Sequence, residues 1–178
     1  MSHQWITRGL LATMLLQVGV LAAEYLNSVY PLWTGQEVRL ETIPVDPRSL
    51  FRGNYVRLNY EISEINMLEE MKVQNLRWNE IVYVKLRPGK NNVHVFDGAS
   101  FTKPETGLYI RGRLQSPYGS VTSQPYQVRY GIEAFFAPKE KALALEDQLR
   151  DGGIAVVMLA DNGKATLKDV VEEYKRGR

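Results

Sequence analysis

Hydrophobic and polar positions fall into two regimes along this chain. Residues 9–23 are almost wholly apolar (Gly-Leu-Leu-Ala-Thr-Met-Leu-Leu-Gln-Val-Gly-Val-Leu-Ala-Ala), whereas from residue 37 onward apolar positions mostly alternate with polar ones. As a helix the first run reaches only about 22 Å, short of the roughly 30 Å hydrocarbon core of a bilayer. Its flanks extend it: Trp5 and Ile6 come before, and Tyr25, Leu26, Val29, Tyr30 and Trp33 come after. Trp5 and Tyr25 have the spacing of interfacial aromatic belts, so residues 5–30 read as the part in contact with lipid. Three readings compete: an uncleaved anchor, a secretory signal cut near residues 20–22, and a buried helix of a soluble domain. The flanking aromatics favour the anchor. Arg8 is the strong positive charge ahead of the run, which favours a cytoplasmic N-terminus and an exported remainder.

The second regime reads as strands. Residues 37–43 place Val38 and Leu40 on one face and Glu37, Arg39 and Glu41 on the other. Residues 55–62 alternate in the same way, with Val56, Leu58, Tyr60 and Ile62 inward and Tyr55, Arg57, Asn59 and Glu61 outward. Residues 80–86 and 93–96, joined by Arg87-Pro88-Gly89-Lys90-Asn91-Asn92, predict a hairpin, and Asp97-Gly98 predicts the start of a further loop. Residues 107–114 alternate with Tyr109, Arg111 and Arg113 on one face. In residues 126–136, Val128, Tyr130, Ile132 and Ala134 oppose Arg129, Glu133 and Phe135. An apolar strand over 154–160 is followed by Asp161-Asn162-Gly163-Lys164, a type I′ hairpin signal, and a return strand at 165–167. The tail from 170 to 178 reads as frayed. Residues 66–79 lose the alternation and suggest a short helix or packed excursion. Residues 139–150 predict an α-helix, with Leu143, Leu145 and Leu149 available for packing. Together these elements predict a mainly β domain, an antiparallel barrel or sandwich with one α-helix, preceded by an N-terminal transmembrane helix. Residues 1–33 form the anchor segment and 34–178 the domain.

Composition narrows the chemistry. The chain has 178 residues, a net charge of +2 and no cysteine. The charge is too small to argue for nucleic acid as a partner, and thiolate chemistry and cysteine-ligated zinc are excluded. With two histidines, His3 and His94, and no carboxylates at metal-loop spacing, neither a metal nor another cofactor is expected. There is no phosphate-binding glycine loop and no Gly-x-Ser-x-Gly elbow. Arg48 to Val56 resembles part of the type I signal peptidase pattern, but Val45 stands where that pattern places its serine, so no nucleophile is available.

The densest stretch of the chain is 44–62. Pro44 and Pro47 stiffen an arch, Asp46 can cap a turn, and Gly53-Asn54 suits a sharp reversal into the strand. Gly53-Asn54-Tyr55, Leu58 and Tyr60 resemble the signature of the GDYXXLXY family, with Asn54 in place of the signature Asp. Asp46-Pro47-Arg48, Phe51-Arg52 and Tyr130-Gly131-Ile132-Glu133 are similar to further family stretches. The family carries no established reaction. The resemblance implies a single-pass protein of the bacterial inner (cytoplasmic) membrane whose C-terminal domain lies outside the cytoplasm, in the periplasm. It also implies a polytopic membrane protein of unknown function as partner.

Candidate binding residues follow from both lines of reading: Asp46, Arg48, Arg52, Gly53, Asn54, Tyr55, Arg57, Tyr60, Arg129, Tyr130 and Glu133. If strands 55–62 and 128–136 are neighbours, their arginines, Tyr55 and Glu133 converge on one face, forming either a polar pocket for an anionic group or peptide, or a solvated face of cross-strand ion pairs. No catalytic residue is assigned. The expectation is a non-catalytic binding or assembly module that partners another envelope membrane protein. The alternative is an envelope hydrolase or glycan-active enzyme using Asp46 and Glu133.

Overall fold

The computed structural model describes residues 3–43, 55–65, 79–115, 126–136 and 152–172. The prolines at 44 and 47, the excursion at 66–79 (apart from Asn79) and the helix expected at 139–150 lie outside the described residues.

The apolar run is helical, as its length and flanks predict. Helix α1 spans His3–Thr34, about 48 Å at 1.5 Å per residue. Residues 4–28 are exposed, including Leu10, Leu15 and Leu21, so the apolar run packs against no other described residue. The helix is long and apolar enough to cross a membrane, and no part of its most apolar window is buried.

Its last two turns behave differently, because Pro31 sits inside the helix and is fully buried. Proline has no N–H, so the carbonyl four residues earlier, that of Asn27, loses its helical partner. Lys164 supplies the replacement, its Nζ donating to Asn27 O at 2.7 Å. Thr166 Oγ1 donates to Ser28 O at 3.4 Å, and Gly35 N closes the helix end by donating to Pro31 O at 2.9 Å. A Cβ on Gly35 would stand 2.4 Å from that same oxygen, which is why the tight exit into the sheet takes glycine.

Beyond the helix lie eleven strands among the described residues. β1 (Gln36–Ile43) pairs antiparallel with β10 (Gly153–Leu159), which pairs with β11 (Ala165–Glu172). β5 (Ile81–Pro88) is flanked antiparallel by β6 (His94–Ser100) and β7 (Leu108–Gln115), and β8 (Tyr126–Arg129) follows β7. β6 reaches β1 through one parallel contact, Leu40 opposite His94. The segment from 59 to 65 then brings the sheet back on itself. β3 (Asn59–Tyr60) pairs with β1, and β4 (Glu64–Ile65), one 3-10 turn later, pairs with β8. The result is a barrel-like ring with Val38, Leu40, Tyr60, Ile65, Val82, Val84, Ile110, Leu114 and Val128 inside, all essentially inaccessible. β10 and β11 extend from the outer edge of β1, against the end of α1. β2 (Tyr55–Arg57) and β9 (Ala134–Phe136) form a separate two-stranded ribbon.

Four local expectations are corrected. The strand expected over 55–62 is broken into β2, β3 and a 3-10 turn, although its inward set of Leu58, Tyr60 and Ile62 is buried and Arg57, Asn59 and Glu61 are exposed. The strand expected over 126–136 is broken at 130–133, and the break inverts the facing: Phe135 packs on the core and Ala134 is exposed. Asp97-Gly98 starts no loop. β6 runs through it with Asp97 as the extra residue of a bulge, since Lys85 pairs with Gly98 and Leu86 with Phe96. The hairpin after β10 is not type I′, because Gly163 alone of its residues has a positive φ (77°) and the turn closes from Gly163 N to Ala160 O. In addition, β11 continues to Glu172, with Val170 buried, where a frayed tail is expected from 170.

Candidate functional site

The two family-like stretches meet through a pair of buried phenols. Tyr60, which ends β3, donates its hydroxyl to Ile132 O at 2.6 Å. Tyr130, just past β8, donates to Ile62 O at 2.5 Å. Each hydroxyl therefore satisfies the carbonyl two residues beyond the other tyrosine. This reciprocal clasp fastens the two broken strands where neither can make a regular ladder. Burial pushes both phenols well above their ordinary pKa, and the nearby Glu133 carboxylate adds to the shift in each. Both stay neutral donors.

Glu133 serves the same junction. Its Oε1 accepts Tyr130 N–H at 2.5 Å, and its two oxygens share Gly131 N–H at 3.2 and 3.0 Å. Its backbone carbonyl accepts Leu58 N–H at 2.9 Å. The carboxylate thus holds the turn at 130–133, and Tyr60, Tyr130 and Glu133 form a structural knot at the heart of the signature.

The remaining expected residues separate. Asp46, Arg48, Arg52, Gly53 and Asn54 lie outside the described residues. Tyr55 is placed by its backbone on β2, opposite Phe136, and Arg57 is exposed opposite Ala134. The expected adjacency of the two stretches is therefore found, between β2 and β9. Arg129, however, belongs to the main sheet and lies directly opposite Arg113 of β7. Arg57 and Arg129 thus belong to different sheets.

Around Arg129 the surface is concave. A cleft of about 500 Å³ is lined by Arg111 and Arg113 of β7, Arg129 of β8 and Lys164 of the β10–β11 turn, with Asn79, Tyr130 and several further contributors; among the described residues no Asp or Glu lines it. One wall is the turn itself. Arg111 N donates to Gly163 O at 2.8 Å, and the Tyr109 hydroxyl donates to Asp161 O at 2.5 Å. The Tyr109 ring packs edge-on against Tyr83, with centroids 5.7 Å apart. Gly163 sits so close to that ring that a Cβ would lie 2.6 Å from Tyr109 Cε2. At the far end Arg113 Nη1 donates to Asn79 O at 3.0 Å, and Asn79 adopts a positive φ of 66°.

The shared face of Tyr109, Arg111 and Arg113 was legible from strand parity. Lys164 and Asn79 were not, since nothing in a single sequence indicates that the 160–164 turn folds over β7. Among the described residues no three His, Cys, Asp or Glu side chains gather as a metal site.

A family model described as GDYXXLXY protein matches residues 17–170. Searches of curated proteins and of solved structures found no match.

Proposed function

From the premise that this chain belongs to the GDYXXLXY family, we infer that it is a membrane-anchored binding or assembly module, without catalytic activity of its own, that partners a polytopic membrane protein. The domain would stand outside the cytoplasm of a bacterial cell, held to the inner membrane by α1. One observation carries this reading: the end of the apolar helix is built into the domain. Pro31 is buried, and Lys164 and Thr166 of the β10–β11 hairpin hold the carbonyls of Asn27 and Ser28. A helix that served only for export would need no such joint. One that is joined presents the barrel at a set orientation to neighbours in the same bilayer.

The surface proposed for the partner is the outward side of the signature, where Arg57 is exposed on a ribbon whose pairing the Leu58–Glu133 backbone bond carries one step further. Arg48, Arg52 and Asn54 belong to the same proposal by sequence. The hydrolase reading has less support, because both oxygens of Glu133 are engaged by backbone N–H groups of its own turn.

The test is affinity capture of the full-length protein from detergent-solubilised native membranes, followed by mass spectrometry. A polytopic partner in stoichiometric amount, lost on Arg57→Ala without a change in melting temperature, is the expected result. Recovery of the protein alone, at the mass of a chain cut near residue 22, would remove the anchor and the complex together.

A further inference from the structure

We propose that the cleft between β7, β8 and the β10–β11 turn is a binding site for a phosphate group. Three guanidiniums converge there by strand geometry. Arg111 and Arg113 are two apart on β7 and so share a face, and Arg129 is the direct cross-strand partner of Arg113. Like charges placed directly opposite each other destabilise a sheet. Among the described residues no acid lining the cleft relieves the repulsion, and Lys164 adds a fourth positive charge. The ion pairs of Lys168 and Arg39 with Glu37, and of Arg87 with Asp97, lie on β1, β11, β5 and β6, away from these side chains. An anion with several acceptor oxygens resolves the conflict. Guanidinium forks match phosphate oxygens in pairs, and an ammonium beside them adds a point charge. The anchoring of Arg113 to Asn79 O fixes one side of its fork and leaves further N–H groups of that guanidinium for a ligand.

The position of the cleft points to the source of that phosphate. With Trp5 and Tyr25 at the two interfaces of a bilayer, Asn27 lies about 3 Å further along the helix axis, within the headgroup layer. Lys164 bonds to Asn27 O and also lines the cleft. The basic wall therefore stands at the height of lipid phosphates, where the headgroup of an anionic phospholipid can enter from the side. Soluble phosphate esters share the chemistry, and the experiment separates the two. The inference rests on α1 crossing a bilayer but not on any protein partner, so its failure would leave the capture experiment untouched.

The full-length protein in neutral detergent is titrated with an equimolar mixture of phosphatidylglycerol and phosphatidylcholine, and retained lipid is counted by native mass spectrometry. In parallel, its melting temperature is followed in inorganic phosphate against chloride at equal ionic strength. The expected result is a preference for phosphatidylglycerol that falls by about ten-fold or more in an Arg113→Gln/Arg129→Gln variant, the scale set by losing charge-assisted hydrogen bonds. That variant gives up the exposed Arg113–Asn79 bond but relieves the like-charge pair, so its melting temperature in chloride stays close to that of the wild type; Arg111→Gln, whose backbone bonds the turn, serves as the second variant. A phosphate-dependent rise in melting temperature that the variants lose, without any lipid preference, upholds the site with a soluble phosphate ester as its source. Equal lipid retention and equal phosphate response in wild type and both variants overturn the proposal.

Discussion

Removing a single oxygen from the clasp tests whether the signature tyrosines hold the fold or face a ligand. Tyr60→Phe keeps the ring, which is fully buried, and deletes only the donor to Ile132 O. The bond itself contributes about 0.5–1.5 kcal/mol, and the buried carbonyl left behind raises the cost towards about 1–3 kcal/mol. For a domain of this size about 2 kcal/mol corresponds to a fall in melting temperature on the order of 5–10 °C. Tyr130→Phe removes the donor to Ile62 O and should cost a similar amount. Because the two bonds join the same pair of broken strands, the double variant should be less destabilised than the sum, with a coupling above about 0.5 kcal/mol. Chemical denaturation of the full chain in detergent, read by tyrosine and tryptophan fluorescence, gives all four corners of the cycle. If both single variants kept wild-type stability while losing partner capture, the clasp would be a binding surface and the structural account of these residues would be wrong.

Other expectations follow from the same contacts. Lys164→Met should destabilise the native chain by about 0.5–1 kcal/mol by removing the bond to Asn27 O, and clearly less in a Pro31→Ala background, where the helix regains its own N–H; equal losses in both backgrounds would refute the role given to Lys164. Burial holds the His94 imidazole below its ordinary value of 6.5, so the unfolded chain takes up the proton more readily. The contribution of His94 is thus fully present above about pH 6.5 and is lost as the pH falls, and His94→Phe should flatten the dependence of melting temperature on pH between 7.5 and 5. Gly163→Ala should cost at least about 1–2 kcal/mol for its left-handed backbone and displace Tyr109, visible as a lower urea midpoint and altered tyrosine fluorescence.

Much of the architecture was legible because burial alternates with strand period wherever one face is wet. Val38 and Leu40, Leu58 and Tyr60, and Val128 and Tyr130 all face inward as their spacing requires. What the pattern hid were interruptions, one at 57–62 that preserves parity and one at 130–133 that inverts it. Residues 57–62 keep strict alternation through a change of partner from β9 to β1, so no local signal marks the break. Asp97-Gly98 has turn chemistry, yet a bulge satisfies the same residues within a continuing strand. At the site, the arginines of β7 were readable as one face. Which strand would place Arg129 opposite Arg113, and which loop would bring Lys164 over them, depends on tertiary pairing that one sequence does not encode locally. Strand parity placed Tyr60 and Tyr130 inward, but it gave no reason for a hydroxyl at either position. Only their reciprocal bonding to Ile62 O and Ile132 O explains why a phenol, and not a phenylalanine, occupies each place.

With α1 anchored as proposed, the joint at Pro31 would make bilayer thickness a variable that the barrel can register. A hydrophobic stretch and a bilayer of unequal thickness adjust to each other partly through tilt. A domain on a loose tether would be indifferent to that angle. Here the hairpin bonds to the last turns of the helix, so a change of tilt would carry the barrel with it. Thicker and thinner membranes would then present different sides of the same rigid body to whatever stands beside it, with no internal rearrangement of the fold.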